Sequence, residues 1–285
     1  MNHPLVTVII PAYNHEAYIS ECIESVFNQT YKNIQLIVIN DGSTDNTKQL
    51  IQKILDQKND AFSFISKKNE GLIKTLNLGI SLAQGTYFCI LASDDFWMPN
   101  KIEKQVAVME KNPDAGVVFS DTYFCYGMKK TEVKYSKYKP RLLKIKQGVP
   151  VNLYNRLIVE NLVISTTVLI RLDVLKSVGN FDDTLTYEDY DMWLRISKKY
   201  NIIYLNEPMA YYRIHAANFS KQNLKMLKGA TRTLEKQYSL LKSDHNLFYI
   251  FSKRITFYLI LAATKIKKRK IIRLIKKITK PQIQK

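Results

Sequence analysis

Acidic residues and cysteines are scarce in this chain of 285 residues, and no apolar stretch runs long. The three cysteines, Cys22, Cys89 and Cys125, are odd in number and far apart. That excludes a disulfide framework and fits reduced, buried thiols in a cytosolic protein. The longest clean apolar run falls well short of the ~20 residues that a membrane span needs. No charged leader with an apolar run behind it precedes the opening segment "PLVTVIIPAYN", so no secretory signal is expected. Neither internal repeats nor a disorder-type composition is present. The turn after the first apolar segment, "PAYNHEAY", contains no glycine, which excludes a Gly-rich phosphate cradle at that point.

The shortage of acid leaves 43 Lys and Arg facing 25 Asp and Glu, a net charge of +18. The excess is concentrated. From Lys253 onward there are 12 Lys/Arg and no acid, and residues 129–148, "KKTEVKYSKYKPRLLKIKQG", hold 8 Lys/Arg against Glu132. The body outside these two patches is close to neutral. A hydrophobic fraction of 46% can supply a core, and the length fits one large domain or a domain with an appendage.

Short apolar runs alternate with helical patterns through the first half. "VTVIIP", "IQLIVIND", "FSFISK" and "YFCILAS" read as strands. Between them, residues 15–29 form a helix with Ala17, Ile19, Ile23, Val26 and Phe27 inward, "STDNTKQLIQKILDQ" a second behind its capping signals, and "GLIKTLNLGISLAQG" a third. A helix near 100–111 and a strand "GVVFSDTYF" follow. Strands without polar alternation, separated by helices, indicate a mostly parallel sheet covered on both faces. Further on, 129–150 reads as an exposed basic loop and 151–160 as a helix. A strand, a short helix, a loop and an amphipathic helix with Trp193, Leu194 and Ile196 then lead to the strand "IIYLNEPMAYYRIH". From 222 onward the pattern is helical.

In such sheets ligands bind at the carboxyl ends of the strands. The polar clusters Tyr13-Asn14, Asn40-Asp41, Asn69 and Asp94-Asp95 all fall at such ends. Asp94 and Asp95 raise a question of charge, because adjacent carboxylates repel and one resists ionising unless a cation is near.

The segments "VTVIIPAYNHEAYI", "LIVINDGSTDNT", "NEGLIKTLNLGI", "ILASDDFWMP", "YEDYDMWLRI" and "YYRIH", in this order, resemble family 2 glycosyltransferases. These are inverting nucleotide-sugar enzymes with a GT-A fold. The resemblance spans about residues 5–218 and implies an α/β domain over 1–220, with a Rossmann-like, mostly parallel sheet flanked by helices. Residues 221–285 would form a helical, basic amphipathic C-terminal extension.

By the same resemblance Asp94 and Asp95 end the family's Asp-x-Asp motif and hold Mn²⁺ or Mg²⁺, hard cations that bridge carboxylates to phosphates. The family often has Asp where this chain has Ala92. Asp94 then becomes the direct ligand, with Asp95 ligating or holding a sugar hydroxyl. His215 would complete the metal shell and Arg213 approach the diphosphate. Asp41 would face a uracil ring, Pro11, Tyr13 and Glu16 would wall the uridine and touch the ribose, and Lys74, Asn77 and Ser93 would contact the nucleotide. Glu188 and Asp189 would be the catalytic acids, with Asp189 as general base to the acceptor hydroxyl.

Plainer roles stay open beside these. Asp94-Asp95 can cap a helix, Asp41-Gly42 can form a turn, and Lys74 can lie on a solvated face. Asp45 reads as a cap and Asp191 as a structural acid, His215 can be structural, and Trp193 is core or an acceptor platform.

Residues 265–278, "KIKKRKIIRLIKKI", set Ile271, Leu274, Ile275 and Ile278 on one helical face amid Lys/Arg. This fits a helix lying in an anionic membrane interface, or a cap on the catalytic domain; no motif supports nucleic-acid binding. The 129–148 segment suits either an anionic lipid-pyrophosphate acceptor or a mobile charged loop. The sequence therefore predicts a metal-assisted, inverting glycosyltransferase, peripheral on the cytoplasmic face of the membrane. It would move a hexose or N-acetylhexosamine from a UDP-sugar to a lipid-linked glycan in bacterial surface-polysaccharide assembly (capsule, O-antigen or lipooligosaccharide). The alternative is a catalytically weakened glycan- or membrane-binding module. A nucleotidyl-transfer enzyme is disfavoured by the glycine-free first turn.

Overall fold

The computed structural model describes residues 3–185, 187–216, 218, 223–237 and the single positions 249, 252, 253 and 256. The first half is built from β1 (Val6–Ala12), α1 (Ile19–Phe27), β2 (Ile34–Asp41), α2 (Thr47–Gln57), β3 (Ser63–Lys67), α3 (Leu72–Leu82) and β4 (Tyr87–Ile90). β5 (Phe96–Trp97), α4 (Lys101–Glu110), β6 (Ala115–Tyr126), β7 (Lys129–Lys134), α5 (Tyr154–Val159) and β8 (Leu169–Arg171) follow. α6 (Leu172–Val178), α7 (Glu188–Ser197), β9 (Asn201–Ile214) and α8 (Asn223–Glu235) complete the described elements.

β3, β2, β1 and β4 are parallel neighbours in that order. Successive strand side chains point to opposite faces, and here both faces are apolar. Ile9, Ile37, Ile39, Phe88 and Ile90 join Leu76 and Ile80 of α3 in one core. Val8, Ile10, Val38 and Cys89 join Ile19 and Ile23 of α1 and Ile51 of α2 in the other. Hence the strands read as unbroken hydrophobic runs. α3 lies so near β1 that a Cβ on Gly79 would sit 2.9 Å from Ile9 Cγ2.

Beyond β4 the sheet is mixed rather than parallel. β8 runs antiparallel to both β4 and β6, β6 is parallel to β9, and β5 and β7 pair antiparallel with β9 and β6. β8 has only three residues, and its direction is set by the path of the chain before it, which local pattern does not encode. β5 matters for the site, because Phe96 opposite Tyr211 and Trp97 opposite Ala210 fasten the end of the β4 segment to β9.

Three local expectations are corrected. α1 begins at Ile19 rather than 15 and leaves Ala17 exposed, because residues 14–16 are committed to the loop after β2 instead. The 129–150 stretch is not a plain loop. Its start is β7, and Ser136, Leu142 and Ile145 drop into the protein while the lysines stay outside. α5 covers less than the expected 151–160. Trp193 is fully buried among core residues, so it is core and not an acceptor platform. All three cysteines are free and buried. The basic amphipathic segment 265–278 lies outside the described residues.

α8 is fastened to the body by charge. The buried Asp191 carboxylate pairs with Arg195 at 2.7 Å on its own helix and with Lys236, just past α8, at 2.9 Å. Lys236 also reaches Asp182 at 2.7 Å. Replacing Asp191 by Ala leaves two cations without their shared partner and is expected to cost about 1–3 kcal/mol. A lowered urea midpoint with an unchanged slope would show it.

Candidate functional site

The carboxyl ends of β1, β2, β3 and β4 open on one edge of the sheet, as the parallel register requires. The loop after β1 is laced to the loop after β2. Asn14, in the left-handed region at φ 53°, accepts the Thr44 amide at 2.8 Å, and its own amide donates to Ser43 Oγ at 3.0 Å. Glu16 Oε2 accepts the Asn46 amide at 2.9 Å, and the His15 amide donates to Thr47 Oγ1 at 2.9 Å. Glu16, expected at a ribose, thus helps to lock the loop, while Tyr13 is exposed and Pro11 half-buried. Asp45 accepts the Thr47 amide at 3.0 Å and the Glu16 amide at 3.1 Å, the capping role expected of it.

Asp41, at the end of β2, is buried. Its Oδ1 accepts from the Lys67 ammonium and, at 2.9 Å, from the Glu70 amide; its Oδ2 accepts the Gly71 amide at 2.9 Å. Burial alone would raise its pKa, but Lys67 and the two amides outweigh burial and hold the carboxyl below its usual range. Asp41 is therefore a fixed anion at pH 7. Gly42 turns the chain at φ 70°, with Asn69 packed directly against it. Lys74 lies exposed on α3. Asn77, expected at the nucleotide, engages the Phe181 backbone with its side-chain amide, at 2.9 Å in both directions.

Asp94 and Asp95 occupy the turn between β4 and β5 and have different surroundings. Asp95 is buried, and its Oδ1 accepts the Arg213 amide at 2.8 Å. Burial, reinforced by the Asp94 charge, pushes the Asp95 pKa up. Asp94 faces the imidazoles. His215 Nε2 lies 2.9 Å from Asp94 Oδ2, and a ligand-type atom from each of His15, Asp94 and His215 lies within 4.8 Å of the others. His15 Nδ1 is 2.7 Å from Ser93 Oγ. The two imidazole rings meet edge to face at 5.5 Å, with Tyr18 against His215 at 4.9 Å. Burial lowers the His15 pKa by more than the Asp94 carboxylate raises it, so the ring is neutral at pH 7, the form that binds metal. One carboxylate and two imidazoles with open positions suit a divalent cation that also holds phosphate oxygens. Asp95 stands outside this trio.

Arg213 departs from expectation. It is fully buried, and its guanidinium donates to the Asp94 carbonyl at 2.6 Å, to the Gly127 carbonyl and to Glu21 Oε2 at 2.5 Å. It braces the acidic turn from behind and has no free fork for a diphosphate.

The second acidic pair opens α7. Glu188 and Asp189 are half-buried, and Ser165 Oγ donates to Asp189 Oδ2. Asp189 Oδ1 is enclosed, with no partner among the described residues. Burial raises both pKa values. The Asp189 charge raises Glu188 further, and the Ser165 hydroxyl partly offsets the rise at Asp189. Ser165–Thr167 form one short turn, whose Thr166 carbonyl accepts from Trp97 Nε1 at 2.7 Å. That turn connects Asp189 to the Asp94–Trp97 segment. Sequence reading missed His15, Ser165 and Glu21. Only His15 left a signal, as an imidazole directly after a strand-end "PAYN".

Residues 7–178 match the profile of Glycosyl transferase family 2. A Rickettsia prowazekii protein named an uncharacterized glycosyltransferase is 35% identical over 228 residues, spanning 79% of this chain and 69% of that protein. One so named from Methanocaldococcus jannaschii is 32% identical over 219 residues, 75% of this chain and 72% of its own. Among solved structures, S. aureus TarS 1–349 in complex with UDP-GlcNAc aligns with a TM-score of 0.71 at 19% identity, covering 93% of this chain and 77% of that one. Mannosyltransferase PcManGT from Pyrobaculum calidifontis, in complex with GDP-Man and Mn²⁺, aligns with a TM-score of 0.69 at 16% identity, covering 97% and 80%. At these identities the likeness is one of fold, the GT-A architecture.

The turn that presents Asp41 gives a direct test. A Cβ on Gly42 would sit 2.5 Å from the Asn69 backbone nitrogen, and φ is 70° there. Gly42→Ala is expected to cost about 1–3 kcal/mol, read as a drop of several degrees in melting temperature.

Proposed function

The chain belongs to glycosyl transferase family 2 and is a glycosyltransferase, and on that premise we propose that it moves a hexose or N-acetylhexosamine from a UDP-sugar to a lipid-linked glycan with inversion. One observation carries this reading. A fixed anion at Asp41 and a cation-type trio at His15, Asp94 and His215 follow the carboxyl ends of strands, and the Ser165–Thr167 turn links a carboxylate of raised pKa, Asp189, to the segment after β4. Asp41 would accept the N–H of the base, with Pro11 and Tyr13 walling the nucleoside. Asp94 and His215 would hold Mn²⁺ or Mg²⁺, which when bound neutralises charge on the departing UDP. Asp189 would take the proton of the acceptor hydroxyl, and burial holds that carboxyl above its usual range.

The acceptor side is aromatic and basic. Phe124 meets Tyr138 and Tyr212 edge to face and Tyr135 at a tilt, with ring centres 5.6–6.2 Å apart. Tyr126, Met128, Tyr138 and Leu143 are exposed among the lysines of 129–146. Apolar tips ringed by cations fit an anionic bilayer, which supports a peripheral enzyme on the cytoplasmic face in surface-polysaccharide assembly. No described helix is long and apolar enough to cross a membrane. The division into a catalytic domain over 1–220 and a membrane-associating extension over 221–285 belongs to this proposal.

The base assignment predicts a pH profile. A base works only when ionised, so activity rises as pH climbs through the Asp189 pKa. With that pKa raised by burial, the acid limb lies above the ordinary Asp value of about 4. Ser165→Ala removes the hydroxyl that favours the ionised form and should move the limb to still higher pH. Asp189→Asn should lower kcat by at least about 100-fold with UDP affinity unchanged. Retained kcat in Asp189→Asn, or a limb that stays put in Ser165→Ala, would remove Asp189 from the role.

A further inference from the structure

The acidic turn after β4 offers the cation little. Ala92 carries no donor, and Asp95 is committed to the Arg213 amide at 2.8 Å. Ser93 spends its hydroxyl on His15 Nδ1, so Asp94 is the carboxylate that remains before β5. Beside it stand the Asn218 side-chain amide, which donates to Oδ2 at 3.2 Å, and two imidazoles from elsewhere in the chain, His15 after β1 and His215 after β9. His15 is held for this role. Its amide is fixed to Thr47 Oγ1 at 2.9 Å, its Nδ1 meets Ser93 Oγ at 2.7 Å, and its ring abuts that of His215. We propose that His15 is a protein ligand of the cation and supplies the donor that Ala92 lacks. Two imidazoles and one carboxylate then make the site select a first-row transition ion such as Mn²⁺ or Co²⁺ over Mg²⁺.

The chemistry follows from donor type. Mg²⁺ demands oxygen ligands at near-ideal octahedral geometry and keeps its waters, whereas imidazole suits transition ions. A turn with two free carboxylates would serve either ion. Each imidazole that stands in for a carboxylate costs Mg²⁺ more affinity than it costs a first-row transition ion. This inference rests on the proposed metal site, and it narrows a choice between Mn²⁺ and Mg²⁺ that the acidic turn by itself leaves even.

The test uses the metal-stripped full chain with UDP present, as wild type, His15→Ala and His15→Asp. Mn²⁺ and Mg²⁺ affinities are measured by calorimetry, and ¹⁴N couplings to bound Mn²⁺ by pulsed electron paramagnetic resonance. Wild type should bind Mn²⁺ more tightly than Mg²⁺ and show coupling to two imidazoles. His15→Ala should lose one coupling and about tenfold or more in Mn²⁺ affinity, with a smaller change for Mg²⁺. His15→Asp should narrow the ratio between the ions. UDP affinity in EDTA, equal in all three proteins, reports that the loop still folds, since the amide rather than the ring of His15 holds Thr47. Unchanged couplings and affinities in His15→Ala overturn the role of His15. Absence of divalent binding to wild type overturns this inference and the metal reading together, while the UDP affinities of the same samples report separately on the nucleotide site.

Discussion

The buried Arg213 guanidinium is the joint on which the site depends. From one position on β9 it reaches the Asp94 carbonyl after β4, Glu21 on α1 and the Gly127 carbonyl of the β6–β7 hairpin, while its own amide binds Asp95. A charge can be buried only if it is paired and its donors are satisfied, and here the pairing fixes the geometry. The network joins the parallel half of the sheet to the mixed half at the edge where the ligand-type side chains gather. It also answers how two adjacent carboxylates coexist. Asp95 turns inward to the Arg213 amide, with its pKa raised by burial. Asp94 turns outward to the imidazoles. A pair that looks equivalent in sequence divides into one carboxylate bound to the Arg213 amide and one set against His215.

The same division of labour recurs around the edge. Glu16, Asp45 and Asn14 spend their polar atoms lacing the loops after β1 and β2 together, and Asn77 spends its amide on the Phe181 backbone. What is left to face a ligand is small and poised: Asp41 held ionised by Lys67 and two amides, His15 held neutral by burial, and Asp189 raised by enclosure. Their surroundings lower the pKa values of Asp41 and His15 and raise that of Asp189, and perturbed groups of this kind cluster where ligands are bound and protons moved.

How much of this was legible depended on whether the cause was local. β1 to β4 and their helices follow from apolar periodicity and capping residues, and the edge where ligands bind follows from parallel topology. The direction of β8 could not be read, because a three-residue strand takes its direction from the chain that precedes it. The start of α1 was misjudged because its expected first turn is held instead by the loop after β2. The basic stretch after β6 looked like a loop because its lysines outnumber the few anchors, Leu142 and Ile145, that fold it down. Among site residues, Asp41, Asp94 and Asp189 announced themselves as carboxylates at strand or helix ends. The expectation of Arg213 at the diphosphate comes from the resemblance of "YYRIH" alone; its contacts with Glu21 and Gly127, distant in sequence, show that it faces inward.

In the proposed function this edge binds a uridine diphosphate through Asp41 and a divalent cation through Asp94. The most direct measurement is a calorimetric comparison of UDP, GDP, CDP and TDP binding with Mn²⁺ and with EDTA, on wild type and Asp94→Asn. UDP should bind most tightly and lose affinity in EDTA, and Asp94→Asn should bind UDP as wild type does in EDTA. A preference for another base would contradict the role of Asp41, and UDP binding indifferent to EDTA and to Asp94→Asn would contradict the cation.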